Sequence, residues 1–324
     1  MKARLHVAVD TTNLKGDWRG ITRYVRAVFP RLAARDDVRL TMVGPGWFGY
    51  RVPRGADVVW HPANGTFFDS RAPSVVTFHD AVPFRFAADD PKQRESEQRP
   101  WLRSAATGTV FLANSQFTAS EVTTYLGIAA ERQTVTPLAV DDAIFSPSGP
   151  RAVLRDGAPF VLFVGTGASV KNVDTLLQAH ARAFPDDEVK LVIAGSAPPK
   201  GSRAHALGIL DARKLASWYR AATLVAVPSL YEGFGLPLLE ALACGRAVVA
   251  SRVGALPEVG GGACGWIDDP RDVEAWSAAL RQLADDEPVR RDLERAAIER
   301  AAQFSWDRCA ARTFSVLQAA AQSR

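Results

Sequence analysis

Short, mostly apolar runs recur along the chain, each bounded by Gly, Pro or polar clusters, with longer amphipathic stretches between them. Such runs occupy residues 5–9, 40–43, 57–60, 75–78, 110–113, 134–137, 160–165, 189–194, 223–227 and 247–251. Too short for helices and rich in Val, Leu, Ile and Phe, they read as buried strands of parallel sheets. The intervals between them carry the other period. Ile21, Tyr24, Val25, Val28, Phe29 and Leu32 fall at helical spacing and predict a helix with one core-facing stripe. Pro237 and Gly245 bracket a second helix, proline suiting its first turn and glycine its C-terminal cap. The polar segment 87–103 reads either as a helix from Pro91 or as a mobile loop. Strands alternating with helices predict an α/β protein.

At 324 residues the chain is comfortable for two domains of ordinary size. Pro and Gly cluster over 147–159, which places a linker there and a first domain at 1–150. Hydrophobic content of 47% and charged content of 23% describe a soluble globular chain. No apolar stretch reaches the length of a membrane span, and the first ten residues lack the core of a signal peptide, so a cytoplasmic location is expected. Three scattered cysteines, Cys244, Cys264 and Cys309, suit neither a disulfide framework nor a zinc site. The formal net charge of +4 is spread along the chain, with 18 Lys and Arg against 15 Asp and Glu in residues 1–150. That balance permits contact with an anionic membrane surface and offers no basic, aromatic-interleaved tract for nucleic acid.

The most informative stretch is 228–245, P-S-L-Y-E-G-F-G-L-P-L-L-E-A-L-A-C-G. It follows one predicted strand and precedes another, so its glycines form the loop of a strand–loop–helix unit at the carboxyl edge of a sheet. The N–H groups of Phe234, Gly235 and Leu236 open the helix and would hold an anion. Glu232 and Glu240, eight positions apart, are poor phosphate ligands and good acceptors for sugar hydroxyls. Phosphate-binding amides beside two acids suggest a ligand carrying both groups, such as a nucleotide sugar.

The spacing of the two acids, embedded in E-G-F-G-L-P-L-L-E-A, resembles the signature of retaining GT-B glycosyltransferases, in particular glycosyltransferase family 4. Other segments resemble the same family: G-I-T-R-Y-V-R from Gly20, T-F-H-D ending at Asp80, N-S-Q-F-T from Asn114, and V-G-T-G-A-S-V-K-N from Val164 to Asn172. The tail from Phe304 resembles the family's closing helix, so 151–304 is expected as the second domain and 305–324 as a helix returning to the first. The implied architecture is GT-B: two doubly wound, Rossmann-like domains facing across a cleft.

The resemblance implies a hexosyltransferase that moves a mannose- or glucose-type sugar from a GDP- or UDP-linked donor, with retention, to a glycan or lipid-linked acceptor in bacterial cell-surface polysaccharide synthesis. No separate cofactor and no metal are implied, and the chain contains no Asp-x-Asp. Lys171 would reach the leaving diphosphate, Glu232 the donor sugar, Glu240 the ribose, and His79 the sugar from the opposite domain. Gly20, Gly165, Gly233 and the amides of Phe234, Gly235 and Leu236 would line the donor site, with Ile209 beside the base. Asp80 either caps a helix or lines the acceptor pocket. Only one glycine precedes the first helix where relatives carry two, which leaves a plain strand-to-helix turn open at Gly20. Many relatives place an arginine shortly before the donor lysine, and residues 165–169 offer none; Arg19, Arg23 and Arg252 are the candidates to replace it. The segment around Lys171 fails both the Walker and the Rossmann glycine patterns, which disfavours a nicotinamide dehydrogenase. An epimerase, a phosphorylase or a non-catalytic partner on the same scaffold are the alternatives.

Overall fold

A computed structural model describes residues 4–12, 14, 20–46, 49–195 and 197–323. The chain divides into two compact units, one of residues 1–138 with 305–324, the other of residues 139–304.

The first unit is built on β1 (Leu5–Asp10), α1 (Gly20–Ala33), β2 (Val38–Val43), β3 (Val58–His61), β4 (Ser74–Phe78), α2 (Val82–Arg85), α3 (Pro91–Thr107), β5 (Val110–Ala113), α4 (Gln116–Leu126) and β6 (Gln133–Val135). Its strands form one parallel sheet in the order β2-β1-β3-β4-β5-β6. Every residue of β3 and β4 is buried, as expected where both faces of a parallel sheet are covered, whereas the edge strand β2 exposes Arg39 and Met42. Val76, Phe78, Trp101, Phe111, Val122 and Ile128 pack together, and Ala8, Val43, Val59 and Phe68 form a separate cluster.

The predicted stripe of α1 is narrower than its spacing suggests: Tyr24, Val28 and Leu32 are buried, while Ile21, Val25 and Phe29 are only half-buried. The polar segment after residue 87 is a helix. Asp90 caps it by accepting from the Gln93 N–H at 2.9 Å, and Pro91 starts it where a missing N–H costs nothing. Ser115 caps α4 in the same way, accepting from the Thr118 N–H at 2.9 Å, and Gly127 ends it in the left-handed region.

The second unit contains β7 (Phe160–Gly165), α5 (Val173–Ala183), β8 (Lys190–Gly195), β9 (His205–Gly208), α6 (Ala212–Ala221), β10 (Leu224–Val227), α7 (Leu236–Ala243), β11 (Val248–Ser251), α8 (Leu256–Gly260), β12 (Gly265–Ile267), α9 (Val273–Asp285) and α10 (Glu287–Ala301). Its parallel sheet runs β12-β11-β10-β7-β8-β9. Val161, Phe163, Leu176, Phe184, Leu191, Ile193, Trp276 and Leu280 belong to its main core cluster.

The chain returns to the first unit as α11 (Trp306–Gln322), which buries Trp306, Thr313, Phe314 and Leu317. There Arg35 lies 3.6 Å above the Phe314 ring and Arg31 pairs with Asp307 at 2.6 Å. The expected boundary at residue 150 is corrected: the first unit ends at Leu138, and 139–150 belong to the second. The cause is Arg220, whose buried guanidinium donates to the carbonyls of Ile144, Ser146 and Pro150 and ties that segment to α6. None of the described helices is long and apolar enough to cross a membrane.

Candidate active site

In an open parallel sheet, ligands bind outside the carboxyl ends of the strands where the chain reverses its direction of travel across the sheet. In the second unit the chain steps from β7 to β8 and β9 on one side, then crosses to β10 on the other. The reversal therefore lies between β7 and β10. Lys171 follows the first of these strands and Glu232 the second.

The two loops are locked together by main-chain chemistry. Leu230 N–H donates to Val170 O at 2.7 Å. Asn172, in the left-handed region at φ 52°, donates its side-chain amide to Pro228 O at 3.0 Å and Pro270 O at 2.7 Å. The result is an ion pair between Lys171 Nζ and Glu232 Oε1 at 2.6 Å, with the two side chains 21% and 11% exposed. Ser229 donates its hydroxyl to the same oxygen at 2.7 Å. Glu232 is also held through its backbone, its carbonyl accepting from Ala255 N–H at 2.9 Å.

Gly235 opens α7 at φ 97°, a conformation that favours glycine, and a Cβ there would lie 2.5 Å from Leu256 Cδ2, which would have to shift. The helix begins at Leu236, which puts Pro237 second rather than first. Phe234 is buried with its ring 6.0 Å from that of Phe304. Glu240, expected at the ribose, is 1% exposed, and its Oε2 accepts from the Tyr219 hydroxyl at 2.9 Å. Gly165 ends β7, Gly233 follows Glu232, and Ile209 lies beyond the end of β9 at 91% exposure. Arg252 is paired with Asp268 at 2.6 Å. Gly20 begins α1; Arg19, with the rest of 15–19, lies outside the described residues. No group of three or more His, Cys, Asp or Glu side chains among the described residues could hold a metal.

In the first unit His79 and Asp80 follow β4. His79 is gripped on all sides. Its N–H donates to Asn64 Oδ1 at 2.6 Å, its carbonyl accepts from Asn114 Nδ2 at 2.8 Å, and its Nε2 donates to Pro62 O at 2.8 Å. The Tyr24 ring meets it edge-on at 5.0 Å. Nδ1 is therefore the unprotonated nitrogen, buried and without a hydrogen-bond partner among the described residues. Burial pushes the imidazole pKa down to about 4, the bond to Pro62 opposing only weakly. Asp80 accepts from the Val82 N–H at 3.2 Å.

The depressed pKa makes a stability prediction. Between the ordinary histidine value and about 4 the unfolded chain binds a proton that the folded chain refuses, so stability is full above the ordinary value and is lost as pH falls. From pH 7 to pH 5 the loss from His79 alone is about 2 kcal/mol. Urea unfolding of wild type and His79→Gln at both pH values should show a smaller pH dependence in the variant; equal dependence would assign the effect elsewhere.

Three positioning residues were not among the sequence candidates: Asn172, Ser229 and Tyr219. Asn172 and Ser229 lie inside the quoted motifs, yet their partners are 56 and 3 residues away respectively, and only the second is readable as a local pair.

Comparison with known proteins agrees in both units. Residues 158–286 match the family model described as glycosyl transferases group 1, and residues 50–144 match the one described as Glycosyltransferase Family 4. The chain is 32% identical over 281 residues to the O-antigen chain mannosyltransferase B of Escherichia coli, covering 80% of this chain and 74% of that protein. It spans 54% and 60% of the length of two further curated relatives. Among solved structures, sucrose-phosphate synthase from Thermosynechococcus elongatus superposes with a TM-score of 0.78 at 20% identity, over 99% of this chain and 100% of that one. Anabaena Alr3699/HepE in complex with UDP-glucose superposes with a TM-score of 0.73 at 16% identity, over 97% and 99% of the two chains. These structural likenesses are to proteins of the GT-B fold.

Proposed function

Because the chain belongs to the group 1, family 4 glycosyltransferases, we propose that it transfers a mannose- or glucose-type hexose from a nucleoside diphosphate sugar to a glycan or lipid-linked acceptor, with retention at the anomeric carbon. The observation that carries this reading is the Lys171–Glu232 pair at the β7/β10 reversal. A cation and an acid in contact at a ligand crevice suit a donor with charged and hydroxylated ends.

Chemistry assigns the parts. As the bond to the anomeric carbon breaks, negative charge grows on the departing diphosphate, and a preorganised cation stabilises it more in the transition state than in the ground state. Lys171 is that cation, supported by the positive end of α7. Glu232, held by Ser229 and by its own backbone, accepts from donor sugar hydroxyls through carboxylate lone pairs that the lysine does not consume. Glu240 keeps its assignment to the ribose, with the Tyr219 hydroxyl orienting its carboxylate. His79, neutral at physiological pH, offers the Nδ1 lone pair to a sugar hydroxyl. The UDP-glucose complex of the Anabaena neighbour supports a nucleotide sugar as donor class without deciding between uridine and guanosine here.

A thermal-shift panel of UDP-, GDP-, dTDP- and ADP-linked sugars tests the reading, since a ligand bound to the folded state raises apparent stability by mass action. At a hundred-fold excess over its Kd, one member should stabilise the chain by roughly 2.7 kcal/mol. No response to any of the four would overturn the proposal.

A further inference from the structure

The first sheet has a reversal of its own. The chain steps from β1 to β2 on one side and then crosses to β3 on the other, so β1 and β3 flank the position where a parallel sheet opens a ligand crevice. In the second unit the corresponding place is taken by Lys171 and Glu232. In the first it is taken by Asp10, the last residue of β1, and His61, the last residue of β3.

These two side chains form a buried pair, 3% and 0% exposed, with His61 Nδ1 2.8 Å from Asp10 Oδ2. The other carboxylate oxygen accepts from the Thr12 N–H at 2.9 Å and the Thr12 hydroxyl at 2.6 Å. Three donors satisfy Asp10, and accepting from Nδ1 sets the imidazole tautomer. The opposite nitrogen, Nε2, is buried and has no hydrogen-bond partner among the described residues. Buried polar atoms left without a partner are rare in folded proteins, and this one stands at the crevice position of its sheet. Its neighbours are aromatic and hydroxylic. The Phe68 ring lies 5.0 Å from the His61 ring and stacks at 4.6 Å on Tyr50, whose hydroxyl is 3.1 Å from that of Thr12. Phe68 belongs to the connection between β3 and β4 and is itself buried against Ala8, Val43 and Val59, so a group reaching Nε2 has to turn this ring aside.

We infer that the Asp10–His61 pair is a hydroxyl-binding site for the acceptor. His61 Nε2 accepts a hydrogen bond from an acceptor hydroxyl, while Phe68 and Tyr50 turn toward the carbon face of the ring that carries it. The carboxylate of Asp10 disfavours a phosphate at this point, so the part of the acceptor bound here is a neutral polyol. This inference rests on the glycosyltransferase reading of the second unit.

The test reads His61 directly. The chain has five histidines, few enough to resolve their ring nitrogens by long-range proton–nitrogen NMR on histidine-labelled protein, with His61 identified by its loss in His61→Gln. In the free protein Nδ1 should carry the proton and Nε2 should not. Titration with methyl α-mannopyranoside, methyl α-glucopyranoside and myo-inositol should shift the Nε2 resonance saturably with at least one of them. Asp10→Asn should weaken that response at least ten-fold while leaving nucleotide-sugar stabilisation unchanged. Protonated Nε2 in the free protein, or no response to any of the three polyols, would overturn the inference. Nucleotide stabilisation without a polyol response sinks this inference alone. Absence of stabilisation by every nucleotide sugar sinks the proposed function, whatever His61 does.

Discussion

Lys171→Ala lowers nucleotide-sugar turnover by about 10²–10³-fold, the usual loss when one preorganised electrostatic group is removed from a developing negative charge. The effect should fall on kcat more than on KM, because the charge it meets is larger in the transition state. Glu232 keeps the Ser229 hydroxyl and its backbone bond to Ala255, so the loop should stay in place. The stability cost of leaving that carboxylate without its cation is about 1–3 kcal/mol, too small to unfold the chain. Lys171→Arg should recover part of the rate. Steady-state kinetics with any donor selected by the thermal-shift panel, water serving as acceptor where no glycan is in hand, decides the matter: turnover within a few-fold of wild type removes the diphosphate role.

Gly254→Ala is expected to damage the site from behind. Gly254 sits at φ 56°, and a Cβ there would lie 2.4 Å from the Glu232 carbonyl oxygen and 3.0 Å from its nitrogen. The backbone conformation alone costs an alanine about 1–2 kcal/mol, and the overlap with main-chain atoms adds about 1–3 kcal/mol. The sum, about 2–5 kcal/mol, should appear as a lower urea midpoint with an unchanged slope. Because the obstructed atoms belong to Glu232, nucleotide-sugar affinity should fall as well. A stability change below about 0.5 kcal/mol, the range of ordinary surface substitutions, would mean that the loop relaxes freely and that Gly254 does not set the Glu232 backbone.

Much of the molecule was legible in sequence because its determinants are local. Runs such as 75–78 and 160–165 are too short and too apolar to be anything but strands covered on both faces, and β4 and β7 fall on those residues. Asp90 with Pro91, and Ser115, announce helix starts through chemistry that acts within one turn. The segment 139–150 was misplaced for the converse reason. The Pro and Gly cluster over 147–159 reads as a linker, and nothing in residues 139–150 themselves reveals that Arg220, some seventy positions later, binds three of the carbonyls in 144–150.

The candidate site divides along the same line. Motif resemblance singled out Lys171, Glu232, Glu240 and His79 as residues, and the folded chain decided what each one touches. Lys171 and Glu232 meet because β7 and β10, distant in sequence, are neighbours in the sheet. His79 is neutral because it is buried among Tyr24, Pro62, Asn64 and Asn114, which come from three separate parts of the chain.

Sequence by itself thus determined most strands and helices and the family, and nominated the residues proposed to bind phosphate and sugar, since periodicity, capping and motif spacing are properties of neighbours along the chain. Only the tertiary structure decided that Asp10 and His61 are a pair with one nitrogen left without a partner among the described residues, because 51 residues separate them and parallel strand order alone brings them together.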